Sequence, residues 1–157
     1  MQHRMKTHQL TAEQISRLLR ECLVGCLATV GIDNTPYVTP VHFVYTDGDI
    51  YFHGLPKGQK ISNIQVNPDI SFNIYKMDGL LLDAEGKPCD TNTEYQSVIA
   101  QGKAEIVTDI DRKREVLNAI VDKYTPQYSG CQLPDNMVKG TAVVAVRIME
   151  LTGKYWN

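Results

Sequence analysis

Residues 37–54 read "YVTPVHFVYTDGDIYFHG", and this stretch restricts the fold more than any other. Tyr37, Thr39, Val41, Phe43 and Tyr45 fall on one face at a period of two, the pattern of a half-buried strand. "TDGD" at 46–49 is tight-turn chemistry, and "IYFHG" at 50–54 pairs back on the first run as a hairpin. Other segments repeat the theme. "CLATV" (26–30), "DISFNIYKM" (69–77), "YQSVIAQGKAEIV" (95–107, with a Gly-Lys break that reads as a bulge) and "TAVVAVRIMEL" (141–151) are further strands.

Three helices are expected. The first spans 11–24, opened by a capping box of Thr11 and Gln14 and closed by Gly25. The second spans 58–66 and stops at Asn67-Pro68. The third spans 109–124, with Asp109 as cap and Val116, Leu117, Ile120 and Val121 on its apolar side. Residues 78–94 have turn signals and no periodicity, 125–140 read as a loop, 152–157 as a tail, and 1–10 as a flexible N-terminal segment. Strands joined by hairpins, without regular alternation with helices, exclude a doubly wound sheet. They point to a mainly β fold, a small antiparallel barrel flanked by helices.

The chain has 157 residues, enough for one domain. Its formal charge of −2 argues against a nucleic-acid or membrane-surface partner, which needs a net basic face. No apolar run of membrane-spanning length and no signal peptide is evident, so a cytoplasmic protein is expected. The four cysteines lack metal-ligand spacing and read as free thiols, with no metal site expected.

Chemistry concentrates in "YFHGLPKGQK", residues 51–60. A phosphate dianion is held by backbone N–H groups at a helix start together with one or two cations. Gly58 lets the backbone approach, Lys60 sits in the first helical turn, and Lys57 lies close by. The alternative is a solvated turn with two surface lysines. His53, at the strand end, is either a hydrogen-bonded structural residue or a ligand-site group able to move a proton near pH 7. The spacing is not that of a Walker A loop.

The order of these segments, above all "IYFH" followed by "GQKISNI" and "NP", with "PYVTPVHFVY" and "YQSVIAQGKAEIV" in support, resembles the FMN-binding split barrels related to pyridoxamine 5'-phosphate oxidase. Within them it is most similar to the nitroimidazole-resistance (Nim) branch. The resemblance covers about residues 11–156. It implies a six-stranded antiparallel split barrel, and a homodimer with FMN sites built from both subunits. Residue by residue it places Thr29, Val41, His42 and Phe43 along the flavin ring and ribityl chain, and Phe52 and His53 on the next strand of the site. It makes Lys60 the phosphate lysine, puts Ser97 where the larger oxidases turn a glutamine toward the flavin, and lets Trp156 reach in from the second subunit. Core or dimer packing is the competing reading for Phe43, Phe52 and Trp156.

Two departures narrow the function. No arginine follows Arg147, where the larger oxidases hold the substrate phosphate, and Gln59 replaces the arginine before the phosphate lysine, leaving Lys57 to compensate. The resemblance therefore implies an FMN-dependent oxidoreductase of the nitroreductase type acting on a small oxidised substrate, and not a pyridoxamine phosphate oxidase. A haem-binding protein, with His42 or His53 on the iron, and a non-catalytic flavin-binding module are the alternatives.

Overall fold

The computed structural model describes residues 7–157. Six strands, β1 (Val24–Val30), β2 (Pro36–Thr46), β3 (Asp49–Gly54), β4 (Asp69–Leu81), β5 (Asn92–Ile106) and β6 (Ala142–Trp156), close into a barrel in the order β1-β2-β3-β6-β5-β4. Every neighbouring pair is antiparallel. Among the described residues the α-helices α1 (Ala12–Glu21), α2 (Gln59–Val66), α3 (Ile110–Tyr124) and α4 (Asp135–Gly140) accompany them.

Alternation along the strands fills the barrel. Leu27, Phe43, Ile50, Phe52, Phe72, Ile74, Val98 and Val144 are buried together in its core, and α1 adds Ile15, Leu18 and Leu19. A second cluster lies outside the barrel wall, where Val116 and Ile120 of α3 cover Val44, Tyr51, Val143 and Ala145. The strands apolar on both faces thus have their outer face covered by α3 over this part of the wall. On β5 and β6 beyond it, Ile99 (40% exposed) and Met149 (73% exposed) remain open to solvent.

α1 opens on the expected capping box: Gln14 N–H donates to Thr11 Oγ1 (3.2 Å), and Thr11 N–H donates to Gln14 Oε1 (2.8 Å). The helix ends earlier than Gly25, at Glu21, because Cys22 takes an extended conformation and its N–H closes the last turn on Leu18 O (2.9 Å). Asp109 caps α3 through Arg112 N–H (2.7 Å). At the other end of α3, Tyr124 works as a clasp. The β1–β2 ladder ends at Val24↔His42, and the Tyr124 hydroxyl takes the next place. It accepts from Phe43 N–H (2.8 Å) and donates to Leu23 O (2.6 Å).

Several boundaries differ from the sequence expectation. The two ends of the stretch 78–94 are ladder, where Gly79↔Glu94, Leu80↔Thr93 and Leu81↔Asn92 extend the β4–β5 hairpin beyond an irregularity at Met77/Gly79, and residues 82–91 between them are the turn. The tail is also strand, since Gly153 to Trp156 pair with Val98 to Tyr95. The 125–140 segment contains α4. Of the N-terminal segment expected to be flexible, residues 1–6 lie outside the described residues. Residues 8–10 are instead fastened to β6, with Tyr155 N–H donating to His8 O (3.0 Å), Leu10 N–H donating to Gly153 O (3.0 Å), and Gln9 bridging Lys154. Among the described residues no helix is long and apolar enough to cross a membrane.

Candidate functional site

The β2–β3 hairpin sets the site by parity. Phe43 and Phe52 are cross-strand partners and fully buried inside the barrel. One residue away, before Phe43 on β2 and after Phe52 on β3, His42 and His53 therefore project from the outer face. His42 is exposed and stacks on Tyr124 (ring centroids 4.7 Å apart). His53 is half-buried, and its Nδ1 is buried with no hydrogen-bond partner. Buried side-chain nitrogens are nearly always paired, so an orphan of this kind needs an explanation.

Beyond β3 the chain turns into α2. Gly58 has φ of 124°, a backbone conformation that side chains rarely adopt, and no side chain caps the helix it opens. The first intrahelical bond runs from Ser62 N–H to Gly58 O (3.0 Å), so the N–H groups of Gln59, Lys60 and Ile61 have no partner within the helix. Lys60 folds back over the end of β3: a Cβ built on Gly54 would lie 3.6 Å from its Nζ. Among the described residues neither Lys57 nor Lys60 forms an ion pair with a carboxylate.

The electrostatics agree. Burial lowers the His53 pKa below its ordinary 6.5, and the positive potentials of His42 and Lys60 lower it further, so the imidazole is neutral at pH 7. In an NMR titration of the ligand-free protein, His53 is expected to take up its proton only below pH 6.5. The unfolded chain binds that proton first, so this group's contribution is full above pH 6.5 and stability falls as pH drops through that value. A His53 ring titrating at or above its ordinary value would contradict these surroundings.

The other expected site residues divide into three groups. Thr29 is buried and engaged: it donates to Tyr37 O (3.4 Å) and accepts from Asn63 Nδ2 (3.0 Å), while Gln59 Nε2 donates to Asn63 Oδ1 (2.7 Å). This chain ties α2 to β1 and fixes where the helix start points. Val41, Phe43 and Phe52 have their side chains in the barrel core, so only their backbone faces outward. Ser97 and Trp156 are far off. His53 pairs with Val143, whereas Ser97 pairs with Lys154, eleven residues further along β6. At about 3.3 Å per residue that is on the order of 36 Å along the strand.

Sequence reasoning did not identify the wall beside His53. Leu117, Ile120 and Val121 of α3, with Leu133, Met137, Val138 and Thr141, line a half-open pocket of about 220 Å³ that His53 borders. Two α3 cations pin the α4 segment in place: Lys113 Nζ donates to Lys139 O (3.2 Å), and Arg114 donates to Leu133 O (2.8 Å) and Asp135 Oδ1 (2.6 Å). No cluster of three or more potential metal ligands occurs among the described residues.

A closed six-stranded antiparallel barrel with flanking helices and an uncapped, cationic helix start beside a strand-end histidine defines a split-barrel protein with a site suited to an anion. The chain belongs to the pyridoxamine 5'-phosphate oxidase family, whose profile matches residues 11–155. No curated protein matches the sequence. Among solved structures, a candidate 5-nitroimidazole antibiotic resistance protein from Bacteroides thetaiotaomicron superposes with a TM-score of 0.80 at 24% identity, covering 94% of this chain and 86% of that one. A flavocytochrome from Azotobacter vinelandii gives a TM-score of 0.86 at 22% identity, with 100% and 72% coverage. A FAD- and haem-binding protein from Mycobacterium smegmatis gives 0.84 at 19% identity, with 94% and 73% coverage. At these identities the likeness carries the fold.

Proposed function

We propose that the protein binds FMN with its phosphate at the start of α2, and that it is a flavin-dependent oxidoreductase acting on a small oxidised substrate. The observation that carries this reading is the set of unpaired groups at the start of α2: the first-turn N–H groups after Gly58 and the Lys60 ammonium over Gly54, the residue that follows half-buried His53. Among the described residues these groups have no partner, and together they suit a phosphate. A single anion site favours a mononucleotide over FAD. Bound FMN would supply the electron transfer. The protein's own groups position it: Lys60 and the helix start hold the phosphate, the outward backbone of β2 near Val41 and His42 lines the ring, and neutral His53 holds a hydrogen bond beside it.

The absorption spectrum of the purified protein, followed by anaerobic reduction with a nicotinamide donor and reoxidation by a nitroarene, tests this reading. A flavin spectrum with turnover supports it. Bound flavin without turnover would make the protein a carrier, and a Soret band would shift the assignment to haem on His42 or His53, in line with the haem named for the Mycobacterium smegmatis relative. Free Cys22, Cys26, Cys89 and Cys131 suit a reducing cytoplasm.

We further propose a homodimer whose interface completes the site. Ser97 and Trp156 are too far along β5 and β6 to join His53 of their own chain, and Ile99 and Met149 leave apolar surface open on those strands. Flavin binding only the assembled form should tighten the dimer by linkage. In sedimentation at low concentration, the flavin-bound form is expected to dissociate less than the flavin-free form. A flavin-bound monomer would reject the dimer, and equal dissociation of the two forms would reject the shared site.

A further inference from the structure

We propose that the outer face of β5 and β6, beside residues 8–10, carries a binding site for a small carboxylate with an apolar body, held by the Lys154 ammonium and the Ser97 hydroxyl. Calling that molecule the substrate rests on the flavin and dimer reading, which brings Ser97 to the site of a second copy. The binding claim itself does not.

Strand register assembles the site. Ser97 is opposite Lys154 in the β5–β6 ladder, and Gln9 bridges Lys154 from the other side, so the three form one row across three strands. Residues directly opposite in an antiparallel pair share a face, with Cβ atoms about 4.5–5.5 Å apart. That face is the outer one, because Val98, the neighbour of Ser97, is buried in the barrel core. Ile99 and Thr152 form the next row on it. These residues line a half-open pocket of about 180 Å³, with Leu10 and Leu151 adding apolar wall.

Two groups of the lining have bonding capacity to spare. Ser97 is 6% exposed, yet its hydroxyl has no hydrogen-bond partner among the described residues. A polar side chain buried to this degree is normally paired. Unlike His53 Nδ1, the Ser97 oxygen keeps accessible surface. Lys154 Nζ stands 5.9 Å from the centroid of the Tyr95 ring and pairs with no carboxylate among the described residues. Contact with an aromatic face leaves the N–H donors of an ammonium unspent. The next acid on this face of β6 is Glu150, four residues away, on the order of 13 Å along the strand.

Charge and size select the ligand. One cation balances one negative charge, and a carboxylate has two oxygens to divide between ammonium and hydroxyl. A phosphate dianion asks for a second cation or an open helix start. The lining has no second cation, and the start of α1 is closed by Thr11 and Gln14. A volume of about 180 Å³ is below the roughly 300–1,000 Å³ of sites that enclose drug-sized ligands, so a short chain or single ring fits. Its apolar part would cover Ile99, which the chain itself leaves 40% exposed.

The test uses the purified protein with whatever cofactor it carries, benzoate as the anionic probe and benzamide as its neutral counterpart. NMR signals from the methyl groups of Ile99 and Leu151 and from the Lys154 side chain report binding. Benzoate is expected to shift them saturably and to bind at least about tenfold more tightly than benzamide. Lys154→Met keeps an apolar stem and removes the charge. It is expected to weaken benzoate by about tenfold or more and to leave benzamide nearly unchanged. Ser97→Ala, which deletes only an unpaired hydroxyl, is expected to weaken benzoate by a smaller factor. Equal affinities for the two probes, or a benzoate preference that survives Lys154→Met, would overturn the proposal, even in protein that binds flavin and turns over. Benzoate binding at these methyl groups in protein that takes up no flavin would support the site while removing the flavin reading.

Discussion

Replacing Lys60 with alanine is expected to weaken FMN binding by roughly ten- to a hundredfold and to leave the melting temperature of the flavin-free protein nearly unchanged. The asymmetry follows from the position of the side chain. Lys60 pairs with no carboxylate among the described residues, so its removal frees no buried charge. Its ammonium stands over Gly54, next to His53 and the open first turn of α2, where a phosphate would receive charge-assisted bonds. Such a bond contributes about 1.5–3 kcal/mol. Titration of flavin-free Lys60→Ala protein measures the effect. A dissociation constant equal to wild type would remove the phosphate assignment. A large fall in the melting temperature of the flavin-free form would make Lys60 a structural residue instead.

Gly102→Ala should be the most damaging small substitution in the barrel. β5 and β6 form one of its two longest ladders, and their register shifts between Gln101, opposite Glu150, and Gly102, opposite Ile148. Met149 is the extra residue of this bulge and points into solvent. The bulge brings β6 so close that a Cβ on Gly102 would lie 2.0 Å from Arg147 O and 2.9 Å from Arg147 C. These are backbone atoms, which no rotamer change can move. β6 must shift, and with it Arg147, whose guanidinium holds Asp49 and Glu105 across neighbouring strands. Overpacking of this kind costs about 3 kcal/mol or more. For a chain of this size that is roughly 6–12 °C in melting temperature. Thermal unfolding followed by circular dichroism checks it, and a variant that melts with wild type would contradict the bulge.

What could be read from the sequence had a local cause. The hairpin at 37–54 was legible because one face of each strand is buried and the other is not, and the bulge because its glycine interrupts an otherwise regular strand. The capping box at Thr11 and Gln14 lies within four consecutive residues. The strand ends at 78–81 and 92–94 carried no signal, since few of their side chains enter the core and alternation disappears with burial. α4 is too short to show a period. The site divides in the same way. Gly58, Lys60 and His53 were legible because helix start, cation and strand end are contiguous. The pocket beside His53 was not, because Leu117 and Val121 look like an ordinary apolar helix face until Leu133 and Met137 fold against them. Asn63 was legible only in hindsight: a polar residue four after Gln59 on the buried side of α2 is spaced for the bond it makes.

The central claim is that the start of α2 and Lys60 hold the phosphate of FMN. Side-by-side titration of flavin-free protein with FMN and with riboflavin, which differ only in that phosphate, tests it directly. FMN is expected to bind at least about tenfold more tightly than riboflavin, with most of the difference lost in Lys60→Ala. Equal affinities for the two flavins, or a difference that Lys60→Ala leaves intact, would contradict the account.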